Sequence, residues 1–328
     1  MKKTIAILLC LTLIITFSAC SSKKAGAQLI EGTTKDTTEV ANSSNTKNVA
    51  LVMKTLTNPF FIEMEKGARL AEKEFKINLI VKTAAQETSI DQQIQIVEDL
   101  IVAKVDAIVI APGGSTELIP VLKKAQDAGI KVVNIDNQLD PVLSAKLGLK
   151  DVPFISVDNM QGAYLSAKYI SDMIKTPSRV AIIEGISTAK NAQDRAAGAV
   201  KAFKENSNIT SIVKDTANWK IDESYEVTKK LFLKYPDIKA IFCANDMMAL
   251  GTIQYLQEKN KKDVLVAGFD ALAEAKDAIK QKTMVVTIDQ QASVQGYEGV
   301  KSALALLNGE KVELNQIIDV KVVTFGTL

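Results

Sequence analysis

Short apolar runs rich in Val and Ile alternate with amphipathic segments along most of the chain, and one unit of that alternation occurs twice. The first copy runs Val105-Asp106-Ala107-Ile108-Val109-Ile110-Ala111-Pro112, then an amphipathic segment, then Ile130-Lys131-Val132-Val133-Asn134-Ile135-Asp136. The second runs Ile238-Lys239-Ala240-Ile241-Phe242-Cys243-Ala244-Asn245, another amphipathic segment, then Val264-Leu265-Val266-Ala267-Gly268-Phe269-Asp270. Each copy predicts strand, helix, strand, as in a parallel βαβ unit whose sheet is covered by helices on both faces. Both copies end on an aspartate, and open α/β sheets bind ligands beyond the carboxyl ends of their strands. Asp136 and Asp270 are therefore placed at one site, and the expected architecture is α/β, with two similar doubly wound parallel-sheet lobes facing a cleft.

Taken in order, residues 48–53 predict a first strand, and the loop Lys54-Thr55-Leu56-Thr57-Asn58-Pro59 leads into a helix over residues 60–75. Asn58 suits the N-cap and Pro59 the first helical turn. Phe61, Met64, Ala68, Ala71 and Phe75 recur at spacings of three and four and predict a core stripe. Phe60 lies off that stripe and is a candidate platform for the apolar face of a ligand. A strand over 77–83 and a helix carrying Ile90, Ile94, Val97 and Ile101 precede the first repeat. The chain is expected to leave the first lobe near residues 153–158. A fresh series then begins with a helix to about residue 175, a strand over 180–184, a helix over about 191–205, another βα pair and the second repeat. Residues 284–288, 294–307 and 317–325 predict a strand, a helix and a final strand. The expected lobes are discontinuous, 48–154 with 291–319 and 155–290 with 320–328, so several crossings between them form a hinge.

The first twenty residues follow another pattern. Met1-Lys2-Lys3, an apolar run from Ile5 to Ile15 and the ending Phe17-Ser18-Ala19-Cys20 predict a secretory signal too short to span a bilayer. The ending resembles a bacterial lipobox, in which the cysteine after the cut is diacylated, although Phe17 stands where leucine is usual. A plain signal peptide with a chance cysteine is the alternative. The lipobox implies an extracytoplasmic protein anchored by lipidated Cys20, at the cell surface or in the periplasm. Residues 21–47, rich in Ser, Thr, Asn, Lys and Gly, predict a flexible tether.

Composition mainly excludes. The 328 residues carry 40 Lys+Arg and 38 Asp+Glu, a net charge of +2, which provides no basic stripe for nucleic acid. There is no histidine, so Ser-His-Asp and Cys-His nucleophile systems and His-containing zinc sites are absent. Cys243 is the one cysteine beyond the export segment and reads as a small core residue in an apolar strand. No cofactor is expected.

The stretch Lys54-Thr55-Leu56-Thr57-Asn58-Pro59-Phe60-Phe61, together with Phe242-Cys243-Ala244-Asn245-Asp246-Met247-Met248-Ala249-Leu250-Gly251 and Gly268-Phe269-Asp270, resembles the ribose-type periplasmic sugar-binding proteins, particularly their allose- and ribose-binding branch. The resemblance covers nearly everything from Asn48 onward. It implies the type I periplasmic binding protein fold and a non-catalytic protein that closes around a monosaccharide and delivers it to an ABC transporter permease with its ATPase. Carried across residue by residue, it implies ligand contacts from Asn58, Phe60, Phe61 and Asp136 on the first lobe and from Arg195, Trp219, Asn245, Asp270 and Gln290 on the second, with Trp219 opposing Phe60. Lys54 matches the allose-type pattern, where the ribose type has serine, and is assigned to a sugar hydroxyl beside Asp136. Asn137 stands where the ribose type has arginine and the allose type an acid, so its contact departs from both.

The chemistry suits a sugar, whose C–H faces stack on aromatic rings while its hydroxyl rim meets carboxylates, amides and guanidinium groups. Each residue also has a plainer explanation: a packing role for Trp219, a solvated helix position for Arg195, a helix cap for Asn245-Asp246. No Asp-rich loop suggests calcium or another metal. A sugar-sensing subunit for chemotaxis or a membrane kinase, or a receptor for another polyol, is an open alternative. A sugar-responsive repressor would need an N-terminal helix-turn-helix where this chain has an export signal. A glycosidase could be drawn from Asp136 and Asp270, but hydroxyl acceptance explains both equally well. The expected partners are a monosaccharide, the transporter and the membrane through the lipid, with the protein a monomer.

Overall fold

The structure is a computed structural model that describes residues 46–328. The expected signal peptide, the expected lipidation site at Cys20 and all but the last two residues of the expected tether lie outside the described residues.

The first sheet is built from β1 (Asn48–Met53), β2 (Asn78–Thr83), β3 (Ala107–Ile110), β4 (Lys131–Ile135), β5 (Phe154–Val157) and the late strand β11 (Asn315–Ile318). The second holds β6 (Ser178–Glu184), β7 (Ile209–Thr216), β8 (Ile238–Cys243), β9 (Leu265–Ala267), β10 (Val286–Asp289) and β12 (Lys321–Thr324). Their orders are β11-β5-β4-β3-β1-β2 and β12-β10-β9-β8-β6-β7, so the two lobes repeat one doubly wound topology. All pairs are parallel except β10 with β12. The Val- and Ile-rich runs become central strands because helices bury both sheet faces: all four residues of β3 and five of six in β8 are buried.

Helices of the first lobe are α1 (Pro59–Phe75), α2 (Ile90–Val102), α3 (Ile119–Asp127), α4 (Pro141–Leu147) and α10 (Ala292–Leu307). Those of the second are α5 (Asn159–Ser171), α6 (Lys190–Lys204), α7 (Ile221–Lys234), α8 (Asp246–Glu258) and α9 (Ala273–Lys280). Helix α10 returns to the first lobe and packs on α1, where glycine is required on both sides. A Cβ at Gly67 would lie 1.8 Å from the Ser293 carbonyl oxygen, and one at Gly296 2.0 Å from that of Met64.

Two expectations change. The boundary expected between residues 154 and 155 falls inside β5, whose residues pair with β4 and β11, so the crossing lies beyond Val157. The single final strand expected over 317–325 is two strands in different sheets, separated by Asp319 and Val320. The apolar run is nearly continuous, and only its pairing partners divide it. Within the described residues the chain thus passes between the sheets after β5, after β10 and between β11 and β12.

Candidate ligand-binding site

The carboxyl ends of the strands in both sheets converge on one cavity. Its lining is Lys54, Asn58, Phe60, Phe61, Glu87 and Asp136 from the first lobe, and Asn191, Arg195, Trp219, Asn245, Asp270 and Gln290 from the second.

In the first lobe, Asn58 caps α1 by accepting from Phe60 N at 3.0 Å, and its amide donates to Glu87 Oε1 at 2.9 Å. The cap sets Phe60 and Phe61 edge to face, with centroids 5.1 Å apart. Both rings are buried, so the residue assigned by spacing to the core also lines the cavity. Lys54 follows β1 and is only 2% exposed. Its ammonium stands 2.7 Å from Asp136 Oδ2 and 3.9 Å from Glu87 Oε2, and 5.6 Å from the Phe61 ring centroid. A cation so desolvated is tolerable only with such company.

The second lobe contributes a connected polar chain. Arg195, on the first turns of α6, donates from Nε to Asn159 Oδ1 at 2.8 Å, from Nη1 to Ala244 O at 2.9 Å and from Nη2 to Gln290 Oε1 at 3.2 Å. Gln290 Nε2 in turn donates to Asp270 Oδ1 at 2.6 Å, and Arg195 Nη1 lies 3.8 Å from that same oxygen. The guanidinium also stacks 3.8 Å over the Phe269 ring. Asn245 Oδ1 caps α8 by accepting from Met248 N, leaving Nδ2 a 3.4 Å contact to Trp219 O. The Trp219 indole packs against the backbone just beyond β6, where a Cβ at Gly185 would come within 2.1 Å of it. The explanation of Asn58 and Asn245 as helix caps therefore holds, and both still line the cavity.

Burial dominates the electrostatics. It pushes the carboxyls of Asp270 and Glu87 above the usual carboxylate range, opposed by Arg195 in the first case and Lys54 in the second. It also pulls the Arg195 guanidinium down, against Asp270 and Asp136. Backbone strain gathers here as well: Asp136, Trp219 and Asp270 have φ of 64°, 69° and 125°, each costing about 1–3 kcal/mol in a non-glycine residue. Three lining residues hold buried polar atoms with no hydrogen-bond partner among the described residues: Asn191 Oδ1, Trp219 Nε1 and Asp136 Oδ2, the last of them ion-paired with Lys54. Unpaired buried groups inside a cavity are the places a polar ligand would satisfy. Among the described residues no cluster of three or more His, Cys, Asp or Glu side chains could hold a metal ion.

One expected contact is placed elsewhere. Asn137 is fully buried and does not line the cavity. Its Nδ2 donates to Pro112 O at 3.2 Å, while Oδ1 accepts from Asn191 N at 3.2 Å and, more weakly, from Ser115 Oγ at 3.5 Å. The left-handed turn at Asp136 sends successive side chains different ways, and Asn137 is used up in backbone bonds. Conversely, Glu87 and Asn191 belong to the lining although no motif marked them. Glu87 follows the carboxyl end of β2 and Asn191 that of β6, so the strand-end rule that singled out the aspartates applies to both.

Comparison with known proteins adds four findings. The model of the periplasmic binding protein domain matches residues 49–311. The D-ribose/D-allose-binding protein of Pseudomonas aeruginosa is 41% identical over 278 residues, 83% of this chain and 86% of the relative. The ribose import binding protein RbsB of Bacillus subtilis is 30% identical over 315 residues, 95% of this chain and 96% of the relative. Among solved structures, an ABC transporter periplasmic solute binding protein from Actinobacillus succinogenes with bound D-allose superposes with a TM-score of 0.81 at 36% identity, covering 86% of this chain and 98% of that one.

Proposed function

The chain belongs to the periplasmic binding protein family, and on that premise we propose that it is the sugar-binding component of an ABC importer, taking a monosaccharide of the ribose and allose class between its lobes. The observation that carries this reading is the cavity lining. Aromatic rings (Phe60, Phe61, Trp219) stand beside hydroxyl acceptors and donors (Asp136, Asp270, Lys54, Arg195, Gln290) around one buried site. The names of the related proteins support the same class of ligand.

Contacts from both lobes bind the closed arrangement better than an open one, so the sugar shifts the population toward closure, and the permease reads the closed shape. No bond of the sugar is made or broken. Cys20 is proposed to carry the lipid that holds the protein outside the cytoplasmic membrane; Cys20→Ser is then expected to move it from the membrane fraction to the soluble fraction.

A thermal-shift panel of aldoses and polyols on the fragment from Asn48, followed by calorimetry, tests the proposal. A ligand that binds only the folded form raises the melting temperature in proportion to the logarithm of its concentration over Kd. D-allose or D-ribose is expected to give the largest rise. If no neutral sugar shifts the transition, sugar binding is refuted.

A further inference from the structure

We infer that Asn191 is a specificity-determining ligand contact, supplied from the second lobe and held in place by Asn137 of the first; the inference rests on the sugar-binding reading. Helix α6 opens after Ala189, which has no side chain able to cap it. Its first free N–H groups are bonded instead by the facing lobe: Lys190 N donates to Ser115 Oγ at 3.0 Å and Asn191 N to Asn137 Oδ1 at 3.2 Å. The capping function that a residue at position 189 would normally perform is thus delivered across the cleft.

That division of labour leaves the two asparagines with opposite tasks. Asn137 is spent on Pro112, Ser115 and Asn191 and presents nothing to the cavity. Asn191 is 3% exposed, lines the cavity, and its Oδ1 has no hydrogen-bond partner among the described residues. A carbonyl oxygen in that position accepts from a ligand O–H. Being uncharged, it recognises one hydroxyl without the desolvation cost of a carboxylate, and a ligand lacking that hydroxyl leaves the oxygen unpaired. The expected consequence is discrimination among sugars at one ring position.

Calorimetry on wild type, Asn191→Ala and Asn191→Asp, with the best-binding sugar of the panel and each of its monodeoxy analogues, tests the assignment. Asn191→Ala is expected to weaken the parent sugar by roughly 3- to 30-fold while the ligand-free melting temperature stays near that of wild type. One monodeoxy analogue should bind wild type and Asn191→Ala almost equally, because the hydroxyl and its acceptor are then removed from the same pair. Asn191→Asp keeps an acceptor and should keep the penalty for that analogue. If wild type binds a sugar but Asn191→Ala retains every deoxy penalty, Asn191 makes no ligand contact and the inference is overturned alone. If wild type binds no neutral sugar, the functional reading fails and the inference falls with it.

Discussion

Lys54 shows what this site asks of a single side chain. Its ammonium is buried against Asp136, with Glu87 farther off, before any ligand is considered. A buried pair contributes little net stability, but removing one partner strands the other. Asp136→Asn is therefore expected to destabilise the ligand-free protein by about 3 kcal/mol as well as to weaken sugar binding; urea denaturation without sugar would read the first effect. An exposed carboxylate serving the ligand alone would leave that unfolding curve unmoved. The same reasoning separates Cys243, whose thiol burial pushes up to about 12 and which stands 3.4 Å from Thr252 Oγ1. It is a core residue and no nucleophile.

At the scale of elements, Asp246 ties three pieces of the second lobe together. Its Oδ1 accepts from Thr287 on β10 at 2.7 Å and its Oδ2 from Leu272 N just before α9 at 2.9 Å, while its own residue opens α8. Burial raises this carboxyl from 3.8 to about 6. Between those values the unfolded chain has lost the proton and the folded one still holds it. The folded state binds more protons there, so this group's contribution to stability falls as pH rises through about 4 to 6 and is level above. Asp246→Asn is expected to remove that part of the slope, measurable as the difference in unfolding free energy between pH 4 and pH 7 in the two proteins. The α1–α10 crossing gives a second prediction. Gly296→Val forces a side chain into the Met64 carbonyl and should cost about 2–3 kcal/mol in urea denaturation, with sugar affinity less affected because no lining residue lies on α10.

For the whole molecule the question is what joins the lobes besides a ligand. Ser115 N donates to Thr188 O at 3.4 Å, and its hydroxyl accepts from Lys190 N, outside the cavity lining. On the proposed closure, such direct bonds favour the closed state and lower the apparent Kd by raising the binding-competent fraction. Ser115→Ala should then raise Kd by roughly 3- to 10-fold, with faster dissociation in stopped flow and unchanged preference among sugars. A shift in preference would instead place Ser115 in contact with the ligand.

The alternation of Val- and Ile-rich runs with amphipathic segments determined by itself that the chain forms two parallel-sheet lobes, because strand and helix periodicities are local. The strand-end rule likewise made Asp136 and Asp270 legible, and the family resemblance supplied Arg195, Trp219 and Gln290, all of which reach the cavity. What local pattern does not encode is which of two neighbouring side chains turns inward. Asp136 and Asn137 are adjacent, yet one lines the cavity and the other is turned away by partners 22 to 54 residues distant. Glu87 and Asn191 enter the site for the same reason, and the run over 315–324 divides because its halves find edges on different sheets. Those outcomes rest on long-range hydrogen bonding between segments far apart in the chain, and only the tertiary structure decides them.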